Sequence, residues 1–130
     1  MSKRKLSDRR SAELNKKNLS RSNLTRQQLG GANLVRANMR GANLSNADLV
    51  GANLAEANLK EANFSGAKMA EAKMSRADLK GADFSKADLK GANFRNTDLS
   101  AVKGLTLQQI RTARVDDTTK LSRNFKDKKH

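Results

Sequence analysis

The sequence predicts an all-β solenoid, a stack of near-identical coils, on three observations. A large apolar residue recurs at every fifth position from Leu14 to Leu99 without insertion, giving 18 repeats whose centres are all Leu, Met or Phe. Two residues before the centre stands Ala, in 13 consecutive repeats from Ala32 to Ala92. Proline is absent, so every residue can donate its N–H to a ladder between coils. Period five suits neither regular element. On an α-helix five residues turn about 500°, which scatters the centres around the cylinder. On a flat strand an odd step flips the centre to the opposite face each time. A short extended piece followed by a bend of about a quarter circle keeps every centre on one axis.

The elements follow in chain order. Residues 1–11 form a basic arm, carrying Lys3, Arg4, Lys5, Arg9 and Arg10 as candidate contacts for an anionic partner. The repeat occupies residues 12–100. Its first coil is irregular, because Lys17 and Gln27 stand where later repeats place Ala. A long polar side chain faces the axis only at a cost, so this coil is expected to be looser, or covered by the arm or by a partner. The expected core is the run of centres, among them Leu34, Leu44, Leu54, Phe64, Phe84 and Phe94. Ala32, Ala52, Ala72 and Ala92 leave room for them beside the axis, and Met39, Met69 and Met74 fill gaps. Six glycines fall two residues after a centre, where the bend is placed. Residues 101–123 form a C-terminal cap. Thr106 with Gln109 three residues later is a capping-box pattern, and Leu105 and Ile110 occupy the hydrophobic-staple positions. A short helix near 107–114 is expected to lay Leu107 and Ile110 over the last coil. Residues 124–130 are a basic, mobile tail.

The repeating unit reads Gly-Ala-Asn-Leu-Val, Arg-Ala-Asn-Met-Arg, Gly-Ala-Asn-Leu-Ser, Asn-Ala-Asp-Leu-Val from Gly31 onward. It resembles the Ala-(Asp/Asn)-Leu-X-X motif of the pentapeptide-repeat family, and the resemblance covers residues 12–100. It implies a right-handed quadrilateral β-helix with four repeats per coil, about 4.5 coils, in a rod roughly 20 Å long at ordinary strand spacing. Gly104-Leu105-Thr106-Leu107-Gln108-Gln109-Ile110, with Thr119-Lys120-Leu121 after it, resembles the family's trailing cap.

On that register, residues four repeats apart stack in columns. Phe64 and Phe84 become neighbours. Asp48, Lys68 and Asp88 alternate in sign, as do Arg36, Glu56 and Arg76, and each opposite pair is worth about 0.2–1 kcal/mol. Asp78 and Asp98 stack, and so do Asn63 and Asp83. Arg40, Lys60 and Lys80 stand in line with like charges about 5 Å apart, and Arg36 and Arg76 lie on the neighbouring corner. A bound anion would relieve that row, while Glu56 and Glu61 screen it. These five cations are the rod's candidate site.

The net charge of +14 is uneven: residues 1–26 carry +7, residues 27–100 carry +2 and residues 101–130 carry +5. Basic ends favour polyanions such as nucleic acid, a ribonucleoprotein, an acidic protein or an anionic membrane surface. Catalytic chemistry is poorly supplied. There is no Cys, and the single His is His130 at the tail tip, so a thiolate or His-based metal site and a His triad are excluded. Thr25, Ser45, Ser65 and Ser85 form a hydroxyl column without a base. Tyr and Trp are absent, which removes the usual platforms for single-stranded bases. No cofactor is expected. No apolar run is long enough for a signal segment or a membrane span, so a cytoplasmic location is expected.

The expected function is therefore a non-enzymatic interaction scaffold whose basic ends bind polyanionic partners. The resemblance offers an alternative, since some members of the family mimic DNA and protect type II topoisomerases such as DNA gyrase. That mimicry uses an acidic surface along the rod, and this chain departs from it. A monomer and an end-to-end dimer through the bare first coil are both compatible with the sequence.

Overall fold

The computed structural model describes residues 13–126. The arm residues Lys3, Arg4, Lys5, Arg9 and Arg10 lie outside the described residues, as do 127–130 of the tail. From Glu13 to Lys73 the residue before each centre forms a parallel bridge with the residue 20 positions later: Glu13 with Asn33, Asn33 with Asn53, Asn53 with Lys73, Lys73 with Asn93. Twenty residues are four repeats, so each coil has four sides.

One repeat shows why the coil closes. Leu34 N donates to Asn53 O at 2.7 Å, Arg36 N to Ala55 O at 3.0 Å, and Asn38 N back to Lys17 O at 2.8 Å. Ala37 N closes the bend onto Leu34 O at 3.0 Å. Val35 N donates to the side chain of Asn33, Oδ1, at 3.1 Å. All five consecutive N–H groups are thus paired, three between coils, one across the bend and one to the motif Asn. The bend from Leu34 to Ala37 has positive φ at its third residue, Arg36, which makes it a type II turn. The third position has φ between 57° and 79° in all 17 repeats from Lys16 to Asn96. Six of these residues are Gly, and eleven are not, among them Lys16, Arg21, Arg36, Glu56 and Arg76.

The axis is filled as expected. Every centre except the half-buried Leu19 is buried, and so are the 13 alanines that stand two residues before a centre from Ala32 to Ala92. Phe64 and Phe84 stack with ring centroids 5.2 Å apart, and Phe94 meets Phe84 edge-on at 5.9 Å. The first coil is the loose one. Lys17 is exposed, and Gln27 Oε1 is buried with no hydrogen-bond partner among the described residues.

One rung departs from the expected columns. Among the described residues Asp78 and Asp98 form no bridge, so the expected carboxylate stack does not form. Arg76 N reaches Asn96 O at 3.2 Å and Gly81 N reaches Ala101 O at 2.9 Å, each one residue later than the pattern elsewhere. The cause lies at Thr97, which takes the place of the core Ala. Its buried hydroxyl needs an acceptor, and it donates to Met74 O at 3.2 Å and Arg95 O at 2.9 Å. Regular pairing resumes at Asp83 and Lys103.

The cap lengthens the last coil. Helix α1, Leu107–Thr112, is inserted there, and the bridge spacing grows as Asn93 pairs with Arg114 and Asp98 with Lys120. Thr106 Oγ1 accepts from Gln109 N at 3.2 Å, and Gln109 Oε1 accepts from Thr106 N at 2.8 Å, closing the capping box. The Nε2 group of Gln109 then donates to Phe84 O and Ala87 O at 2.8 and 3.0 Å, which pins the helix to the coil below. Ile110 is buried, but Leu107 is not laid over the core. It stays half-exposed beside a small groove shared with Phe125. The helix also ends earlier than 114, because Ala113 is already extended. Helix α2, Arg123–Lys126, crosses the boundary drawn between cap and tail, and Phe125 packs against the core.

Candidate polyanion-binding face

One side of the rod is built from the successive segments 16–21, 36–41, 56–61 and 76–81. Its middle column is the ladder Asn18, Asn38, Asn58, Asp78. The corner before this column carries Lys16, Arg36, Glu56 and Arg76, and the corner after it carries Arg21, Arg40, Lys60 and Lys80. All five rod cations singled out from the sequence therefore share one face. The sequence reading missed Lys16, which continues the Arg36 column into the first coil, and Lys17 and Arg21, which lie on the same side of that coil. It assigned them to a basic end instead.

Counting by face changes the charge picture. The four segments of this side hold eight Lys or Arg against three Asp or Glu, net +5. The opposite side, segments 26–31, 46–51, 66–71 and 86–91, holds four against three, net +1. The rod that sums to near neutrality along the chain is one-sided in space.

Carboxylates temper the row without cancelling it. Arg36 Nε donates to Glu56 Oε1 at 2.7 Å. That hydrogen bond and the Arg36 charge, with Arg76 adding on the far side, hold Glu56 below its ordinary carboxylate range. Arg40 lies 3.9 Å from Glu61, and Lys60 lies 3.5 Å from Asp78. Both pairs are solvent-exposed and weak. Arg40, Lys60 and Lys80 converge on a shallow depression of about 410 Å³, where Lys103 from the start of the cap joins them beside Glu61.

The middle column is held in a fixed orientation. Oδ1 of Asn18, Asn38 and Asn58 accepts from the N–H of Ser20, Arg40 and Lys60 at 3.1, 3.2 and 3.2 Å. Asp78 makes the same bond to Lys80 N at 3.3 Å. At the far end of the face the displaced rung opens a larger cleft of about 630 Å³ between Arg76, Asp78 and Lys80 on one coil and Asn96, Asp98 and Ser100 on the next. There Asp98 is held below its ordinary range by hydrogen bonds from the Ser100 hydroxyl and N–H. Asp83 is held down in the same way by Ser85. The hydroxyls of Thr25, Ser45 and Ser85 all donate to the motif residue of their own repeat, which gives that column a structural role. Among the described residues no group of three or more His, Cys, Asp or Glu is placed to hold a metal ion. Among them, too, no helix is long and apolar enough to cross a membrane.

Comparison with known proteins agrees with this architecture. The family model described as Pentapeptide repeats (8 copies) matches residues 10–41, 18–54, 37–76, 47–85 and 62–100. No curated protein matches the chain. Among solved structures, the pentapeptide repeat protein Rfr23 from the cyanobacterium Cyanothece 51142 is 27% identical, with 85% of this chain and 91% of that one covered and a TM-score of 0.53. The pentapeptide repeat protein alr5209 from Nostoc PCC 7120 is 25% identical over 85% of this chain and 88% of that one, TM-score 0.53. QnrB1, a plasmid-mediated fluoroquinolone resistance protein, shares the fold at 24% identity over 82% of this chain and 61% of that one, TM-score 0.57.

Proposed function

Because the chain belongs to the pentapeptide-repeat family and is a right-handed quadrilateral β-helix, we propose that it is a non-enzymatic interaction scaffold holding a polyanionic partner on the face of segments 16–21, 36–41, 56–61 and 76–81. The observation that carries this reading is the contrast between the +5 of this face and the +1 of the opposite one. Backbone ladders set Arg40, Lys60 and Lys80 about 4.8 Å apart along one corner, so that row is straight before any partner arrives. Its energy is electrostatic, and binding should fall steeply with salt. A DNA-mimicking ligand of a topoisomerase would need the opposite sign of charge here, and we do not adopt that reading. A cytoplasmic location, where polyanions are abundant, belongs to the same proposal.

The test is binding to fluorescently labelled heparin by anisotropy, with thermal unfolding followed in parallel. R40E/K60E/K80E should lose binding by about 30-fold or more, whereas K68E/K86E/K90E on the opposite face, with the same net change, should stay within about threefold. Equal losses in the two variants would reduce the attraction to net charge and remove the face from the account.

A further inference from the structure

The strip between the two basic corners presents hydrogen-bond donors. Oδ1 of Asn18, Asn38 and Asn58 is turned inward by a backbone N–H, so each side-chain amide offers its NH₂ group to the outside. Guanidinium and ammonium groups flank these amides. Of the two corner carboxylates of these three coils, Glu56 is hydrogen-bonded by Arg36 at 2.7 Å, and Glu61 lies 3.9 Å from Arg40 in a weak exposed pair. The opposite face has Asp48 and Asp88 in its middle column instead. Aromatic rings take no part. Phe64, Phe84 and Phe94 are buried on the axis, Phe125 packs in the cap, and Tyr and Trp are absent.

We propose that the partner on this face is a nucleic-acid duplex, gripped through its phosphate oxygens without reading base sequence. This rests on the reading of the face as a polyanion site. Phosphate oxygens only accept hydrogen bonds, and a strip that only donates matches them. Contacts of this kind position a duplex and carry no sequence information. A duplex supplies phosphates as a stiff array with one charge per about 1.7 Å of axis. A single strand would have to be ordered on the rod, and that cost is ordinarily offset by stacking on aromatic rings, which this face lacks. Asp78 ends the strip, since a carboxylate at the amide's place has no N–H to offer a phosphate, even with Lys60 3.5 Å away. The footprint therefore runs over the first three coils, from Lys16 to Glu61.

The experiment compares the full chain with Asn38→Asp/Asn58→Asp and with Asn43→Asp/Asn63→Asp on the adjacent side. The two variants change net charge equally. Asp makes the same backbone bond at Asp78 and Asp83 in the native chain, so both are expected to fold, which thermal unfolding checks. The probes are two mixed-sequence 20-base-pair DNA duplexes, one of their single strands, and heparin. Expected are equal affinities for the two duplexes, a single strand bound about tenfold or more weakly, and a loss of about tenfold in duplex binding for the 38/58 pair against threefold or less for the 43/63 pair. A single strand bound as tightly as the duplex, equal losses in both Asp pairs, or heparin bound while neither nucleic acid is, would each overturn the duplex and leave the polyanion face standing. Failure of the wild-type chain to bind heparin would take both down.

Discussion

The basic face and the face opposite it share one core and one motif and, apart from the displaced rung at Arg76 and Gly81, one hydrogen-bond pattern, so they differ chiefly at positions that point outward. Arg36, Arg40, Lys60, Arg76 and Lys80 crowd the first. The second has Gly31, Gly51 and Gly91 at its corner, and Val50, the large apolar side chain exposed among the described residues, stands beside Gly51. The contrast teaches that the repeat separates two jobs. The centre and the Ala build the rod and are blind to which side they lie on, while the two bend residues and the motif Asn or Asp are open to carry function. The separation is not complete. The third residue of every bend has positive φ, so a charged side chain there is obtained at the expense of backbone strain of about 1 kcal/mol relative to Gly.

The largest effect should come from a change that affects both faces at once. Phe84 stacks on Phe64 and meets Phe94, at the level where Gln109 anchors the cap. Phe84→Ala removes the centre of that cluster and should cost about 3–5 kcal/mol, seen as a lower urea midpoint. Arg40 and Lys68, on opposite faces, should lose their amide protection from hydrogen exchange together. Loss confined to one face would break the claim that the two share a single core.

An exchange of bend residues between the faces should have a smaller effect, with opposite signs for stability and binding. Arg76→Gly relieves a positive φ of 60° and should stabilise the rod by about 1 kcal/mol while weakening polyanion binding. Gly51→Arg is the reverse. A Cβ at Gly51 meets nothing within 4 Å, so its cost of about 1 kcal/mol is backbone strain alone. The added cation, on the far side, should leave binding nearly unchanged. Melting temperatures and heparin titrations on the two variants check all four outcomes. If stability and binding move in the same direction for Arg76→Gly, the strained bend is not a functional compromise.

Much of this was legible in the sequence because a period repeated 18 times leaves few geometries open. The centres, the alanines and the Thr106–Gln109 capping box follow from spacing and side-chain type, and the four-repeat coil with its Phe64–Phe84 neighbours follows from the resemblance to the family. The rest needed space. Charge counted along the chain averages around each coil, so the lopsided distribution on one face was invisible until columns were grouped by side, and Lys16 and Arg21 were read as part of an end. Glycine marks a positive φ by its presence, whereas Arg36 or Glu56 in the same conformation gives no local signal. The inward turn of the Asn oxygens depends on a backbone N–H that only the folded bend supplies. The step at Asp78 and Asp98 comes from Thr97, whose difference from Ala was on the page but whose need for Met74 O was not.

The smallest effect sharpens the comparison from the acid side, where Asx hydrogen bonds common to all sides become visible in pH dependence. Asp83 and Asp98 are held below their ordinary value of 3.8 by Ser85 and Ser100. Between the folded and unfolded values the unfolded chain binds more protons, so stability rises with pH there. Their contribution is fully present above about pH 4 and is lost as pH falls through the lowered folded values. Both groups are solvent-accessible, so each is worth about a few tenths of a kcal/mol. Asp83→Asn/Asp98→Asn keeps the amide oxygen as acceptor and removes the titration. The variant should lie close to wild type in urea midpoint at pH 7 and lose less stability than wild type between pH 4 and pH 2. Asp98 lines the cleft beside Arg76 and Lys80, so it is Asp83→Asn alone that should leave heparin binding at pH 7 almost unmoved, which separates the bond that shapes every bend from the charges that distinguish one face.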